Sequence, residues 1–177
     1  MQERTKFLTF TGLSVALGLV LPFFTAQIPT IGRALLPMHI PILLAGFIAG
    51  WKSGLTAGLI TPLLRSVLLG TPPLFPSAIA MTFELAAYGF LAGYLDSLMP
   101  KRTSSILITL IGSMLGGRII WGIASLFLLG FSNGTAFSWQ AFTAGAFVNA
   151  LPGIVLQLIL IPVIVITLKR GNLLKRT

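Results

Sequence analysis

The 177-residue sequence contains no cysteine and very few charged residues. Without cysteine the chain forms no disulfide bonds, has no thiolate chemistry and holds no cysteine-based metal site. Charged residues make up 8% of the chain and hydrophobic residues 55%, whereas soluble domains carry about a quarter charged residues. So few charges cannot solvate a globular surface. The composition therefore excludes a soluble enzyme, a secreted disulfide scaffold and a disordered chain, and it predicts a single integral membrane domain over residues 1–177.

Acidic residues are especially scarce, with three Asp and Glu against twelve Lys and Arg and a net charge of +9. In a soluble protein such a charge would suggest a nucleic-acid partner. Here most of the basic residues lie in short polar segments between apolar runs. We therefore interpret them as determinants of membrane topology and predict no nucleic-acid binding.

Six apolar segments predict transmembrane helices. They cover residues 7–24, 38–50, 53–69, 77–95, 104–129 and 141–168. The spacing of Gly54 and Gly58, and of Gly89 and Gly93, predicts close helix contacts within the chain. The sequence thus predicts an all-α integral membrane fold, a bundle of six transmembrane helices.

The basic residues predict that both termini are cytoplasmic. With the N-terminus inside, only Arg33 lies in an outer loop, while Arg65 and Arg118 lie within apolar segments. Short cytoplasmic loops carry an excess of Lys and Arg. The remaining basic residues all fall on the inner side: Arg4, Lys6, Lys52, Lys101, Arg102, Lys169, Arg170, Lys175 and Arg176.

Polar residues within the apolar segments predict a site in the outer half of the bundle. The helical rise places Arg65 about 18 Å and Arg118 about 21 Å above the inner ends of their segments. Glu84 lies about 10 Å and Asn149 about 12 Å below the outer ends of theirs, and His39 stands at the outer mouth of the second segment. Charged groups at membrane depth usually face a bundle interior or a polar cavity.

One glutamate can neutralise only one of the two arginines. A purely structural interpretation makes Glu84 the counter-ion of Arg65 or Arg118. The other arginine then suits an acidic ligand group, because guanidinium binds carboxylate or phosphate through two parallel hydrogen bonds. Gly116 and Gly117 leave space beside Arg118. We therefore favour Arg118 as the ligand contact and Arg65 as the partner of Glu84.

No catalytic motif is present: the sequence has no Walker A loop, no HExxH pattern and no Ser-His-Asp arrangement. We predict no enzyme activity, no catalytic residues and no metal site. Two alternatives stay open at this point. One is a membrane enzyme in which Glu84 and His39 meet near the outer face, and the other is a regulatory membrane subunit without a small ligand.

Several segments together resemble the substrate-binding S-components of energy-coupling factor (ECF) transporters. They are residues 36–47 (LPMHIPILLAGF), 62–66 (PLLRS), 72–76 (PPLFP), 83–89 (FELAAYG), 117–122 (GRIIWG) and 147–153 (FVNALPG). The resemblance covers nearly the whole chain. The pantothenate-type S-component is the most similar, with cobalamin and hydroxymethylpyrimidine types as alternatives.

The resemblance implies a six-helix subunit in a prokaryotic plasma membrane that binds a vitamin from outside with high affinity. It implies delivery to the cytoplasm by toppling on a transmembrane coupling subunit (EcfT), together with two cytoplasmic ATPase subunits. Those partners use ATP, and the resemblance implies no cofactor in this chain.

The resemblance also implies where substrate and partner bind. Family ligand sites draw on the loop after the first helix, the loop between the third and fourth helices, and helices four to six. The matching residues, together with the two added from their depth, are Gln27, Arg33, His39, Arg65, Phe75, Glu84, Arg118 and Asn149. Family members contact the coupling subunit through small residues of the first helix, which here are Gly12, Ser14, Ala16 and Gly18.

Overall fold

Helices make up almost all of the chain that the structure describes. This computed structural model describes residues 2–26, 34–100, 102–130, 139–144 and 148–170. Within these ranges a five-residue helix α6 (Trp139–Thr143) and a wide turn (Leu74–Ala78) accompany six longer helices. The longer helices are α1 (Gln2–Ala26), α2 (His39–Ala49), α3 (Trp51–Leu69), α4 (Ile79–Leu98), α5 (Thr103–Gly130) and α7 (Leu151–Arg170).

The first five apolar segments are confirmed as α1 to α5, with ends that differ by a few residues. The prediction of one helix over residues 141–168 is wrong. The long helix begins at Leu151, and the short α6 lies before it. Pro152 stands in the first turn of α7, where a helix needs no N–H donor, so proline favours a helix start at this point.

α2 and α4 form the centre of the bundle. α4 packs against α2, α3 and α5, while α1 lies across α2 and α3, and α7 packs against α2 and α5. α2 is apolar on every side except for His39, so it can be buried all round. Leu43 and Phe47 pack with side chains of α4, α5 and α7, whereas Ile42 and Ala45 pack with side chains of α3 and α4.

Glycines bring α3 and α4 into backbone contact. A Cβ atom added at Gly54 would collide with the backbone of Gly89, and one added at Gly58 would lie 2.5 Å from the Ala86 nitrogen. Gly93 faces the backbone of Trp51 in the same way. The predicted small-residue contacts of the third and fourth segments are therefore confirmed, because only glycine permits this approach.

In the part of the chain that the structure describes, four helical stretches are long and apolar enough to cross a membrane: Arg4–Thr25, Leu74–Leu98, Thr103–Leu129 and Leu151–Lys169. α2 is shorter than a full span. α3 has the length, but its polar residues lower its hydropathy. Two of these face inward, since the Ser53 hydroxyl lies 2.8 Å from the Thr11 hydroxyl of α1 and Thr61 is fully buried. The exposed faces of the long helices carry large apolar side chains, as lipid-facing surfaces do.

Candidate functional site

Three ionisable side chains from three helices meet inside the bundle. Arg118 Nη1 of α5 donates a hydrogen bond to Glu84 Oε1 of α4 at 2.7 Å. The same carboxylate oxygen lies 3.4 Å from His39 Nε2 of α2. Arg118 is 6% exposed, Glu84 2% and His39 1%. Three of the five polar residues that the sequence predicts in the outer half of the bundle therefore come together, and we call Arg118, Glu84 and His39 the buried cluster.

Aromatic packing fixes the positions of the cluster residues. The His39 ring meets the edge of the Tyr88 ring with centroids 5.0 Å apart. Tyr88 in turn lies on Gly117, where an added Cβ would collide with the ring. A Cβ at Gly116 would collide with Leu91. Gly116 and Gly117 therefore leave room for side chains of α4, which fill the space that the sequence assigned to Arg118 or a ligand.

Several polar atoms of the cluster have hydrogen-bonding capacity left over. Arg118 Nε and Nη2 and both ring nitrogens of His39 are buried and make no hydrogen bond to any described residue. A buried donor without a partner costs about 1–3 kcal/mol. The guanidinium N–H groups are thus chemically suited to a ligand that supplies oxygen acceptors, while a neutral imidazole donates through one nitrogen and accepts through the other. The sequence pointed to Arg118 and His39, but it did not indicate which of their atoms are available.

Gln157 was missed by the sequence interpretation. It lies on α7 between Ile154 and Ile161, which pack in the same apolar cluster as Leu43 and Tyr88. Its side chain is completely buried, and neither amide atom bonds to a described residue. A single amide within an apolar helix was the signal that could have identified it.

Arg65 lies apart from the buried cluster. Its Nη1 donates to the Leu19 carbonyl of α1 at 2.9 Å, and its guanidinium carbon lies 5.6 Å from the centre of the Phe23 ring. The favoured pairing of Arg65 with Glu84 is therefore wrong, because Glu84 binds Arg118. Pro22 in α1 lacks an N–H, so the carbonyls of the preceding turn have one donor fewer. Arg65 supplies a donor to that turn.

Of the other residues predicted to contact the ligand, the structure describes Asn149 and Phe75. Asn149 is exposed and lies two residues before the start of α7, and its backbone N–H donates to the Ala144 carbonyl. Phe75 is 50% exposed in the wide turn Leu74–Ala78. Gln27 and Arg33 lie outside the described residues. No hydrogen bond between described residues joins Asn149 or Phe75 to Glu84.

The four small residues of α1 lie on two different faces. Gly12 and Ala16 are exposed, and nothing lies within 4 Å of a Cβ added at Gly12. Ser14 and Gly18 are buried, and a Cβ at Gly18 would lie 2.6 Å from Thr61 Cγ2 of α3. The prediction of a four-residue partner face is therefore corrected. Ser14 and Gly18 pack within this chain because small side chains let α1 approach α3.

A second ion pair lies at the other end of α4. Lys169 Nζ of α7 donates to Asp96 Oδ1 at 3.0 Å. Asp96 is buried, whereas the Lys169 side chain is 34% exposed. The sequence interpretation treated Lys169 only as a topology charge and did not single out Asp96. In the described part of the chain, no three His, Cys, Asp or Glu side chains form a set that could hold a metal ion.

The fold and the cluster together define a class of protein. Apolar helical faces surround polar groups that are kept away from lipid, as in a membrane subunit that handles a polar solute. The family model for the ECF transporter substrate-specific component matches residues 6–165. The chain belongs to this family. No curated protein and no solved structure matches it.

Membership of the family settles several general properties. The chain is a transport subunit and not an enzyme, and it is a multi-pass membrane protein. It works with the coupling and ATPase subunits of an ECF transporter and binds a substrate.

Proposed function

We propose that the chain binds a small water-soluble vitamin, with pantothenate favoured, between α2, α4, α5 and α7 at the buried cluster. The observation that carries this proposal is the set of unpaired hydrogen-bonding atoms on Arg118, His39 and Gln157. Guanidinium and imidazole N–H groups donate to carboxylate oxygens, and a carboxamide both donates and accepts. Pantothenate offers a carboxylate, an amide and hydroxyl groups, which matches these donors and acceptors.

The ion pair within the cluster favours a second candidate. Glu84 neutralises Arg118, so the positive charge expected for an acidic ligand is already balanced at this position. The charge of Arg65 lies on the side of α1 instead. An uncharged ligand with ring nitrogens, such as hydroxymethylpyrimidine, would exchange hydrogen bonds with Glu84 and Arg118 without bringing another carboxylate near Glu84.

The proposed orientation has both termini in the cytoplasm of a prokaryotic cell. The vitamin enters from the outer side, and the subunit delivers it by toppling on EcfT while two ATPase subunits use ATP. The basic residues of the short inner segments support this orientation. Because the chain has no cysteine, single Thr71→Cys and Ser104→Cys variants report it directly. A membrane-impermeant thiol reagent on intact cells should label Thr71→Cys alone, and the reverse labelling would refute the orientation.

Titration of the purified chain tests the ligand proposal. We expect calorimetry to detect high-affinity binding of pantothenate, and not of cobalamin or hydroxymethylpyrimidine. Mass spectrometry of the protein purified from cells should detect the same ligand. Selective binding of hydroxymethylpyrimidine would establish the second candidate, and selective binding of cobalamin would show that both are wrong. Absence of binding to all of these would refute the vitamin-binding proposal.

The exposed face of α1 around Gly12 and Ala16 is the proposed contact with EcfT. A leucine at Ala16 would prevent close helix approach. We expect Ala16→Leu to abolish uptake with the complete transporter while the isolated subunit binds its vitamin normally. Gly18→Leu serves as the contrasting variant, because it would collide with Thr61 and lower the stability of the subunit itself. Normal uptake by Ala16→Leu would show that the contact lies elsewhere.

A further inference from the structure

A basic cleft lies at the end of the bundle where α1 begins and where α2 passes into α3. The cleft has a volume of about 490 Å³. Its lining contains three cationic side chains, from Arg4, Lys6 and Lys52, and the aromatic rings of Phe7 and Trp51. None of these three cations forms a salt bridge with a side chain that the structure describes. The cleft is separate from the buried cluster, which contains none of its residues.

Aromatic contacts hold Trp51, on one side of the cleft, in place. The Trp51 ring meets the edge of the Phe90 ring at 5.6 Å, and Phe90 stacks on Tyr94 at 5.4 Å. Lys52 Nζ lies 5.5 Å from the centre of the Trp51 ring. These contacts hold a cation beside an aromatic surface, in the arrangement that is common at membrane interfaces.

The backbone adds to the positive potential of the cleft. Gly50 (φ 87°) lets the chain turn directly from α2 into α3. The first turn of α3 has no side-chain cap, and Gly50 and Trp51 both line the cleft. The N–H groups at a helix start carry partial positive charge. Three side-chain cations and this helix start therefore favour an anion.

The surroundings of the cleft distinguish a lipid from a free anion. Phe7 and Trp51 give the cleft apolar walls, and Trp51 is 38% exposed. We propose that the cleft binds the phosphate head group of an anionic phospholipid, whose acyl chains extend into the membrane beside Phe7 and Trp51. The inference rests on the proposed function in one respect: the proposed orientation places the cleft in the cytoplasmic leaflet.

Native mass spectrometry of the detergent-solubilised chain tests this proposal with phosphatidylglycerol as the probe. We expect phosphatidylglycerol to bind more tightly than zwitterionic phosphatidylcholine. The double variant Lys6→Gln/Lys52→Gln should weaken phosphatidylglycerol binding by about an order of magnitude, since each basic residue near a membrane surface contributes to anionic lipid attraction. The matched variant Lys101→Gln/Arg102→Gln removes two charges from the link between α4 and α5, and it should retain the original affinity.

Three results would overturn the proposal. Equal weakening by both double variants would show that only net charge matters. Equal affinity for the two lipids would show that the cleft does not select an anion. Competition by soluble glycerol 3-phosphate at the lipid's own concentration would show that the ligand is a free phosphate. Vitamin binding, measured in the same variants, is expected to be unchanged, so failure of this inference is distinguishable from failure of the proposed function.

Discussion

α4 carries two buried carboxylates about 18 Å apart along its axis, and their surroundings differ sharply. Glu84 pairs with Arg118, and both partners are enclosed by the bundle. Asp96 pairs with Lys169, whose side chain is 34% exposed. When one partner of the enclosed pair is lost, water cannot solvate the charge that remains. The partly exposed ammonium of Lys169, by contrast, can be solvated. The same type of contact is therefore suited to a ligand site at one end and to a helix tether at the other.

The largest effect is expected from breaking the enclosed pair. Glu84→Ala leaves the Arg118 charge buried without a counter-ion, which commonly costs about 3–5 kcal/mol. We expect a large drop in the thermal unfolding temperature of the detergent-solubilised chain. Asp96→Ala, on the same helix, should have a much smaller effect because Lys169 reaches solvent. Equal losses in the two variants would contradict the distinction between the two pairs.

The next effect concerns ligand affinity. Arg118→Ala should weaken substrate binding by on the order of a hundredfold or more, because a buried charged hydrogen bond is lost. Arg118→Lys keeps the charge beside Glu84 but lacks the guanidinium fork, so it should retain most of the stability while binding remains weak. Lys169→Ala, which breaks the ion pair with Asp96, is the control and should bind the substrate normally. Unchanged calorimetric affinity in both Arg118 variants would remove Arg118 from the ligand site.

At Gln157, one substitution should lower ligand affinity without lowering stability. Gln157→Leu removes a buried amide that makes no hydrogen bond to a described residue. We expect stability to stay equal or to rise, while affinity falls about tenfold through the loss of one ligand hydrogen bond. Gln140→Leu on α6 is the matched control, since that side chain is exposed. Unchanged affinity of Gln157→Leu would exclude Gln157 from the site.

The smallest effect is expected at the ion pair between Asp96 and Lys169. Lys169→Gln should lower the free energy of unfolding by about 1 kcal/mol or less, as partly exposed ion pairs do. High salt should shrink the difference from the unmodified chain, because it screens exposed charges. Calorimetric unfolding at low and high salt provides the measurement. A salt-independent loss as large as that of Glu84→Ala would show that the two pairs are equivalent.

The residues of the buried cluster could be singled out from the sequence, but their pairings could not. Helical rise and hydropathy placed Glu84, Arg118 and His39 in the outer half of the bundle, because both depend only on position along a helix. Which arginine meets Glu84 depends on how the helices are rotated and packed. The glycines beside Arg118 illustrate this limit, since the space they leave is filled by Tyr88 and Leu91 from a neighbouring helix.

The sequence by itself determined the membrane environment, the first five helices and the family, because composition, apolar run length and local motifs act along the chain. Tertiary structure decided which faces of those helices meet. It divided the small residues of α1 between an exposed and a buried face, joined Arg65 to Leu19, and buried Gln157 among apolar side chains. Each of these outcomes depends on contacts between residues that are distant in sequence, and only the packed bundle specifies such contacts.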